Sequence, residues 1–229
     1  MKILFSFLLI VSGNLMAQNN VALFSFWKPK PGDEKNFENG YKQHLKWHKD
    51  NADKWNWCGW YFAFGSRDDQ FLDATFNHSW GDFDKSVKPA EDGADNSIHT
   101  YPFADYQMGY RMINLPDLSI SDSNSLKSKL LRLVTITVTN IDSGKAVLEK
   151  LKAIYKAKGM KTFMAFKMVD GGNLNQFIIL IGLSGTEEFS KVENLQEELT
   201  SIEALLKIKT ITMLTSETLV FRADMSLIH

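Results

Sequence analysis

Two stretches of this chain end alike. Leu115-Pro116-Asp117-Leu118-Ser119-Ile120 is echoed by Arg222-Ala223-Asp224-Met225-Ser226-Leu227 about half a chain later. An internal repeat constrains a fold strongly, because each repeat is one structural unit that buries its apolar face against a neighbour. The order of apolar runs and turn signals repeats as well. In the first half, Val21–Trp27 reads as a strand, and Pro31-Gly32-Asp33 opens a helix to about Ala52. Trp55–Phe64 and Phe71–Ser79 read as strands around the polar turn Ser66–Asp69. Gly81-Asp82-Phe83 begins a short helix, a long loop follows, and Tyr106–Leu115 is the last strand. In the second half, Leu131–Thr139 is a strand, and Asp142-Ser143 caps a helix to about Lys158. Thr162–Val169 and Gln176–Leu183 form a hairpin around Asp170-Gly171-Gly172-Asn173. Thr186 opens a long amphipathic helix with Phe189, Val192, Leu195, Leu199, Ile202 and Leu206 on one face. Ile208–Leu214, extended by Leu219–Phe221, closes the chain.

Both halves therefore read β-α-β-β-α-β, the ferredoxin-like unit. The expected fold class is α+β: two tandem ferredoxin-like repeats packed sheet to sheet as a pseudo-dimeric α/β barrel. The expected organisation is a leader over 1–17, a first repeat over 18–118, a Ser-, Asp- and Asn-rich linker over 119–129, and a second repeat over 130–229. Several strands are apolar on both alternating faces. Trp57 and Tyr61 fall on one side, Trp60, Phe62 and Phe64 on the other. A sheet with one face in water would alternate apolar and polar residues, so both faces are expected to be covered.

This element order, over most of residues 20–229, resembles the dimeric α/β-barrel superfamily with both units fused in one chain. That group includes antibiotic-biosynthesis-type monooxygenases, haem-degrading enzymes, chlorite-dismutase-like proteins and stress-responsive barrel proteins. The resemblance implies a small-ligand cavity between sheet and helices. It carries over no catalytic signature and does not choose a chemistry, because one fold hosts many functions.

The N-terminus has a different grammar. Met1-Lys2 is basic, Ile3–Val11 is apolar apart from Ser6, and Leu15-Met16-Ala17 supplies a small residue before Gln18. That is the pattern of a secretory signal peptide, with cleavage expected after Ala17. The apolar run is about half of the roughly 20 residues needed to span a bilayer. Export to a periplasmic or extracellular space is expected, with no membrane span. Lys+Arg 26 against Asp+Glu 27 lacks the basic excess of a nucleic-acid binder. The single cysteine, Cys58, excludes an internal disulfide framework and a thiolate zinc cage, and it reads as a small buried apolar residue.

The halves differ in content. All six tryptophans and four of the five histidines precede residue 116. Either the first half holds an aromatic-walled pocket for a small apolar or aromatic ligand, or it has a bulkier core. On the first helix, His44 and His48 share the face of Phe37, Tyr41 and Leu45, while Lys35, Lys42, Lys46 and Lys49 take the opposite flank. The matching second-half helix has no histidine there. A His-x-x-x-His pair can bind a divalent metal or offer an axial ligand to haem. One imidazole could instead act as general base, or both could be core histidines bonded to neighbours. The glutamate of a zincin motif is absent, since Leu45, Lys46 and Trp47 separate the pair. His78 is the candidate third ligand, on a strand face with Ala74 and Phe76. His99 falls in the long loop. Asp73, Thr75 and Asn77 share the other face of the His78 strand and form either a polar patch or an exposed edge. The residues assigned to a site are thus His44 and His48 for chemistry, and Tyr41, Trp57, Trp60, His78 and Trp80 for ligand contact. Three functions follow: a small-molecule binder or cofactor-independent oxygenase or isomerase, a haem or metal binder, and a non-catalytic interaction protein.

Overall fold

The computed structural model describes residues 19–229, so the signal-peptide reading lies outside the described residues. Eight antiparallel strands close into a barrel in the order β1-β3-β2-β8-β5-β7-β6-β4. They are β1 (Val21–Pro29), β2 (Cys58–Phe64), β3 (Phe71–His78), β4 (Ala104–Asn114), β5 (Leu130–Val138), β6 (Phe163–Asp170), β7 (Gln176–Leu183) and β8 (Ile211–Phe221). Four helices cover the outside: α1 (Glu34–Asp50), α2 (Pro89–His99), α3 (Ile141–Ala157) and α4 (Leu195–Leu206). The first-half strands run β4-β1-β3-β2 and the second-half strands β8-β5-β7-β6; they join at the β2–β8 and β4–β6 seams. Among the described residues no helix is long and apolar enough to cross a membrane.

The two-sided apolarity of the strands sorts into three cores. Phe24, Phe26, Trp60, Phe62, Phe76 and Phe166 point into the barrel with Leu131, Leu133, Met164 and Leu180. The rings touch: Phe24–Phe76 centroids are 5.6 Å apart, Phe24–Phe166 5.9 Å and Trp60–Phe76 6.4 Å. One opening is closed by Arg67, whose guanidinium lies 4.5 Å from the centroids of both Phe26 and Phe62 and pairs with buried Glu217. Outside, Val147, Leu151 and Tyr155 of α3 and Leu195, Leu199 and Ile202 of α4 cover the second half. Phe37, Tyr41 and Leu45 of α1 cover the first, against Trp27 and Phe71.

The structure corrects several element readings. The supposed long loop after Gly81 contains α2, an 11-residue helix opened by Pro89 at its first turn. It has no buried residue, so it shows no apolar stripe to read. The long helix from Thr186 is two pieces: a 3-10 turn, Thr186–Lys191, and then α4. β2 starts at Cys58, and Trp57 makes only an isolated bridge to Leu227. β8 is one continuous strand. The α3 cap is Asn140, whose side chain accepts from the Ser143 amide at 2.9 Å. The connecting segment is anchored: Ile120 bridges Phe163, Ser125 is buried, and Leu126 packs on the barrel interior.

Near its end β3 departs from alternation. Asn77 takes a left-handed backbone, φ 63°, and the β1 pairing shifts register there. Asparagine tolerates this conformation better than most residues. The extra residue turns His78 away from the face of Ala74 and Phe76. Its Nε2 instead meets Thr75 Oγ1 at 2.5 Å, on the outer face. Asp73 and Thr75, read as a patch or exposed edge, are buried beneath the helices, and only Asn77 is exposed.

Candidate functional site

Residues four apart on a helix lie one above the other. On α1 this places His44 and His48 side by side on the edge facing α2, each about 5% exposed. Gly40, one turn earlier, lets α2 come close. A Cβ at that position would stand 1.7 Å from the His99 carbonyl oxygen. The approach brings Asp92, Asp95 and Asn96 of α2 onto the histidine pair.

Three atoms converge there. His44 Nε2 lies 3.2 Å from His48 Nε2 and 3.3 Å from Asp92 Oδ1, and His48 Nε2 lies 3.7 Å from the same oxygen. The other ring nitrogens face carboxylates. His44 Nδ1 is 2.8 Å from Asp95 Oδ2, and His48 Nδ1 is 2.8 Å from Asp53 Oδ2. A neutral imidazole whose Nδ1–H faces a carboxylate keeps its lone pair on Nε2. With His44 in that form, its Nε2 lone pair and the Asp92 oxygen are acceptors pointed at one another, with His48 Nε2 beside them. The Asn96 amide, 2.9 Å from His44 Nε2, is the donor found against them. A cation would complete such a set, as a proton shared between the rings would.

Its dimensions suit a metal. Donors about 2.0–2.1 Å from a tetrahedral cation stand about 3.3 Å apart. Carboxylates on the far ring nitrogens are the usual outer shell of histidine ligands, fixing tautomer and ring orientation. Burial, with His48 alongside, lowers the His44 pKa despite Asp95, which favours the neutral ring. Burial raises the Asp92 carboxyl. Burial would raise Asp53 too, but contacts with His48, the Trp55 amide and the Trp57 indole outweigh it and hold that group at about 2.

The structure divides the residues read from the sequence. His44 and His48 meet. Trp57 belongs beside them: its ring is 5.0 Å from that of His48, and its Nε1 donates to Asp53 at 3.1 Å. Tyr41 is a turn away, 6.5 Å from His44 between ring centroids, buried beneath α1. Trp60 lies on the opposite face of β2, inside the barrel, so it cannot share a wall with Trp57. His78 does not reach the cluster; Trp55, 4.1 Å from it, and Trp57 stand between. Trp80 is 49% exposed against Phe83. His99 is the last residue of α2 and meets Asp95 at 3.1 Å. The sequence reading missed Asp92, Asp95, Asn96 and Asp53. The spacing Asp92, Asp95, Asn96 puts three polar groups on one helical face, a signal usable only once Pro89 is taken as a helix start. A cleft of about 840 Å³ lies elsewhere, between the start of α1 and the β2–β8 seam, with Glu38, Tyr61 and Arg222 among its lining residues.

No family model and no curated protein matches the chain. Solved structures do. A protein described as a monooxygenase from Lactobacillus acidophilus superposes with TM-score 0.60 at 12% identity, over 90% of this chain and 95% of that one. An anthrone oxidase-like protein gives 0.57 at 11%, over 89% and 92%. Chlorite dismutase from Candidatus Nitrospira defluvii, in complex with imidazole, gives 0.59 at 7%, over 92% and 94%. At these identities the likeness is one of fold: the described chain is an α+β protein built like these monooxygenase-type and chlorite dismutase structures.

Proposed function

We propose that this chain binds a divalent transition metal through His44 Nε2, His48 Nε2 and Asp92, on the outside of an oxygenase-type barrel. The observation that carries this is the convergence of three potential ligand atoms within 3.7 Å, with each Nδ1 atom 2.8 Å from a carboxylate oxygen. Two histidines and one carboxylate leave coordination positions for water or a small ligand, which fits zinc or non-haem iron. Such a cation would act as a Lewis acid toward a bound oxygen. Asp53 and Asp95 hold the rings, and α1 and α2 exclude bulk water from them. This keeps the small-molecule reading but moves it from an aromatic pocket to the helix pair. Haem does not fit these histidines, because their Nε2 atoms face each other across 3.2 Å and leave no room for a macrocycle.

Two further readings belong to this proposal. The strand orders β4-β1-β3-β2 and β8-β5-β7-β6 match element for element, which supports a fused duplication of one ferredoxin-like unit. The basic-apolar-small pattern of residues 1–17 supports export with cleavage after Ala17. Mass spectrometry of the mature N-terminus is expected to begin at Gln18, and a retained Met1 would overturn the export reading.

The metal reading is tested by calorimetric titration of chelator-stripped protein with Zn²⁺ and Co²⁺. One ion per chain is expected, with visible Co²⁺ absorption, and His44→Ala and His48→Ala should each abolish it. Added haemin should give no Soret shift. Absence of stoichiometric binding by the wild-type protein would sink the proposal.

A further inference from the structure

The helix that carries Asp92 has unusual anchoring. The other three helices each bury apolar residues: α1 buries Phe37, Tyr41 and Leu45, α3 buries Val147, Leu148, Leu151 and Tyr155, and α4 buries Leu195, Leu199 and Ile202. α2 buries none, and its largest apolar residue, Ile98, is 66% exposed. It touches α1 instead through polar groups: Asp92 and Asp95 on His44, Asn96 on His44, and Asp92 on His48. Outside this cluster the links between the two helices are the tight passage of His99 over Gly40 and the Lys88–Asn51 hydrogen bond of 2.8 Å.

Apolar burial is the main term holding helices to a protein, and polar contacts that replace water contacts contribute little net. A helix without it sits at the low end of local stability and opens readily. In the cation-free cluster the Asp92 carboxylate of α2 faces the His44 and His48 Nε2 atoms at 3.3 and 3.7 Å; when neither nitrogen carries a proton this is an opposition of acceptors, and Asp95, Asn96, the Gly40 passage and Lys88 are left to hold α2. A cation shared by His44, His48 and Asp92 would turn that opposition into attraction between the two helices.

Resting on the metal reading above, we infer that the metal fastens α2 to α1, so that the order of residues 88–100 depends on metal occupancy. The same ion would then bind its ligand only when α2 is docked, and α2 would stay docked only while the ion is held. A ligand that binds one of two states shifts the balance by its differential affinity for them.

Hydrogen exchange read by mass spectrometry tests this on the full mature chain, with Zn²⁺ and with EDTA, and calorimetry measures Zn²⁺ binding on the same samples. Zn²⁺ is expected to slow exchange across 88–100 at least tenfold, with α3 peptides unchanged. Zn²⁺ that binds but leaves 88–100 unprotected overturns the inference and leaves the metal reading standing. Equal protection of α3 overturns it too, because that is general stabilisation. No Zn²⁺ binding at all refutes the metal reading itself. Asp92→Asn changes no buried residue and should keep its fold. At Zn²⁺ levels that saturate its remaining ligands, it should show no protection of 88–100. Full protection in this variant would overturn the clasp.

Discussion

Two aspartates buried near α1 show how one residue type serves opposite ends. Asp53 is held ionised by the His48 ring, the Trp55 amide and the Trp57 indole. Asparagine at this position keeps an oxygen for both rings, but it removes the charge that orients His48 and turns an amide donor toward the Trp55 N–H. Asp53→Asn is expected to weaken Zn²⁺ binding about 10–100-fold and to cost about 1–3 kcal/mol of stability through the unpaired Trp55 N–H, as measured by calorimetry and thermal melts. Asp73 is the reverse case. It lies beneath α1 with Trp27 Nε1 donating to it at 3.1 Å, and burial pushes its carboxyl up to about 7 despite that bond and the nearby Ser25 and Tyr41 hydroxyls. In the unfolded chain it titrates near 3.9. Between those limits the native state holds more protons than the unfolded one, so stability falls as pH rises from about 4 to about 7 and stays lower above. Asp73→Asn should therefore melt higher than wild type at pH 8 and lose that advantage at pH 4, with EDTA present throughout. An advantage that grows toward pH 4 would contradict the assignment. At this scale the sequence showed His44 and His48, because an i, i+4 pair needs only a helix to be seen. It hid Asp73, whose neighbours Thr75 and Asn77 looked like an exposed edge, and it hid Asp53, which acts from a loop.

Elements with apolar faces were legible, and those without were not. β1, β2, β3, β5, β6 and β7 all announced themselves as apolar runs, because the barrel buries both sides of its wall. α2 has nothing to bury, so its polar stretch looked like loop, and with it went half of the histidine cluster. α4 failed differently: its apolar spacing continues back to Phe189, but the chain leaves the helix between Lys191 and Leu195. The contact between α1 and α2 yields a prediction at this level. Gly40→Ala should favour α1 taken alone, since alanine is the better helix former by about 1 kcal/mol. In the protein its methyl would meet the His99 carbonyl, so a net loss of about 1–3 kcal/mol is expected. Zn²⁺ affinity should fall with it, because Asp92 moves away with α2. Chemical denaturation and calorimetry measure the two effects, and a more stable variant would show that the helices are not in close contact.

For the molecule as a whole, a single wall separates two environments. The order of apolar runs and turns made the barrel legible, and alternation through Trp57–Phe64 already placed Trp57 and Trp60 on opposite sides. What alternation could not show is that the inside is filled with side chains while the polar groups gather outside. Trp60→Ala should accordingly cost about 3–5 kcal/mol of stability by leaving a cavity, and leave Zn²⁺ affinity unchanged. A loss of metal binding in a folded Trp60→Ala protein would mean that the two sides communicate. Asn77 keeps them apart at one edge. Were the strand to alternate regularly through Asn77, the ring of His78 would point inward beside Phe76 and bring an imidazole into the aromatic filling. With the break at Asn77, all four histidines of the first half stand outside. Apart from the Arg67–Glu217 pair at one mouth, the lumen is left as apolar ballast around its packed rings, and a designer could recast that filling while the working surface kept its shape and its charge.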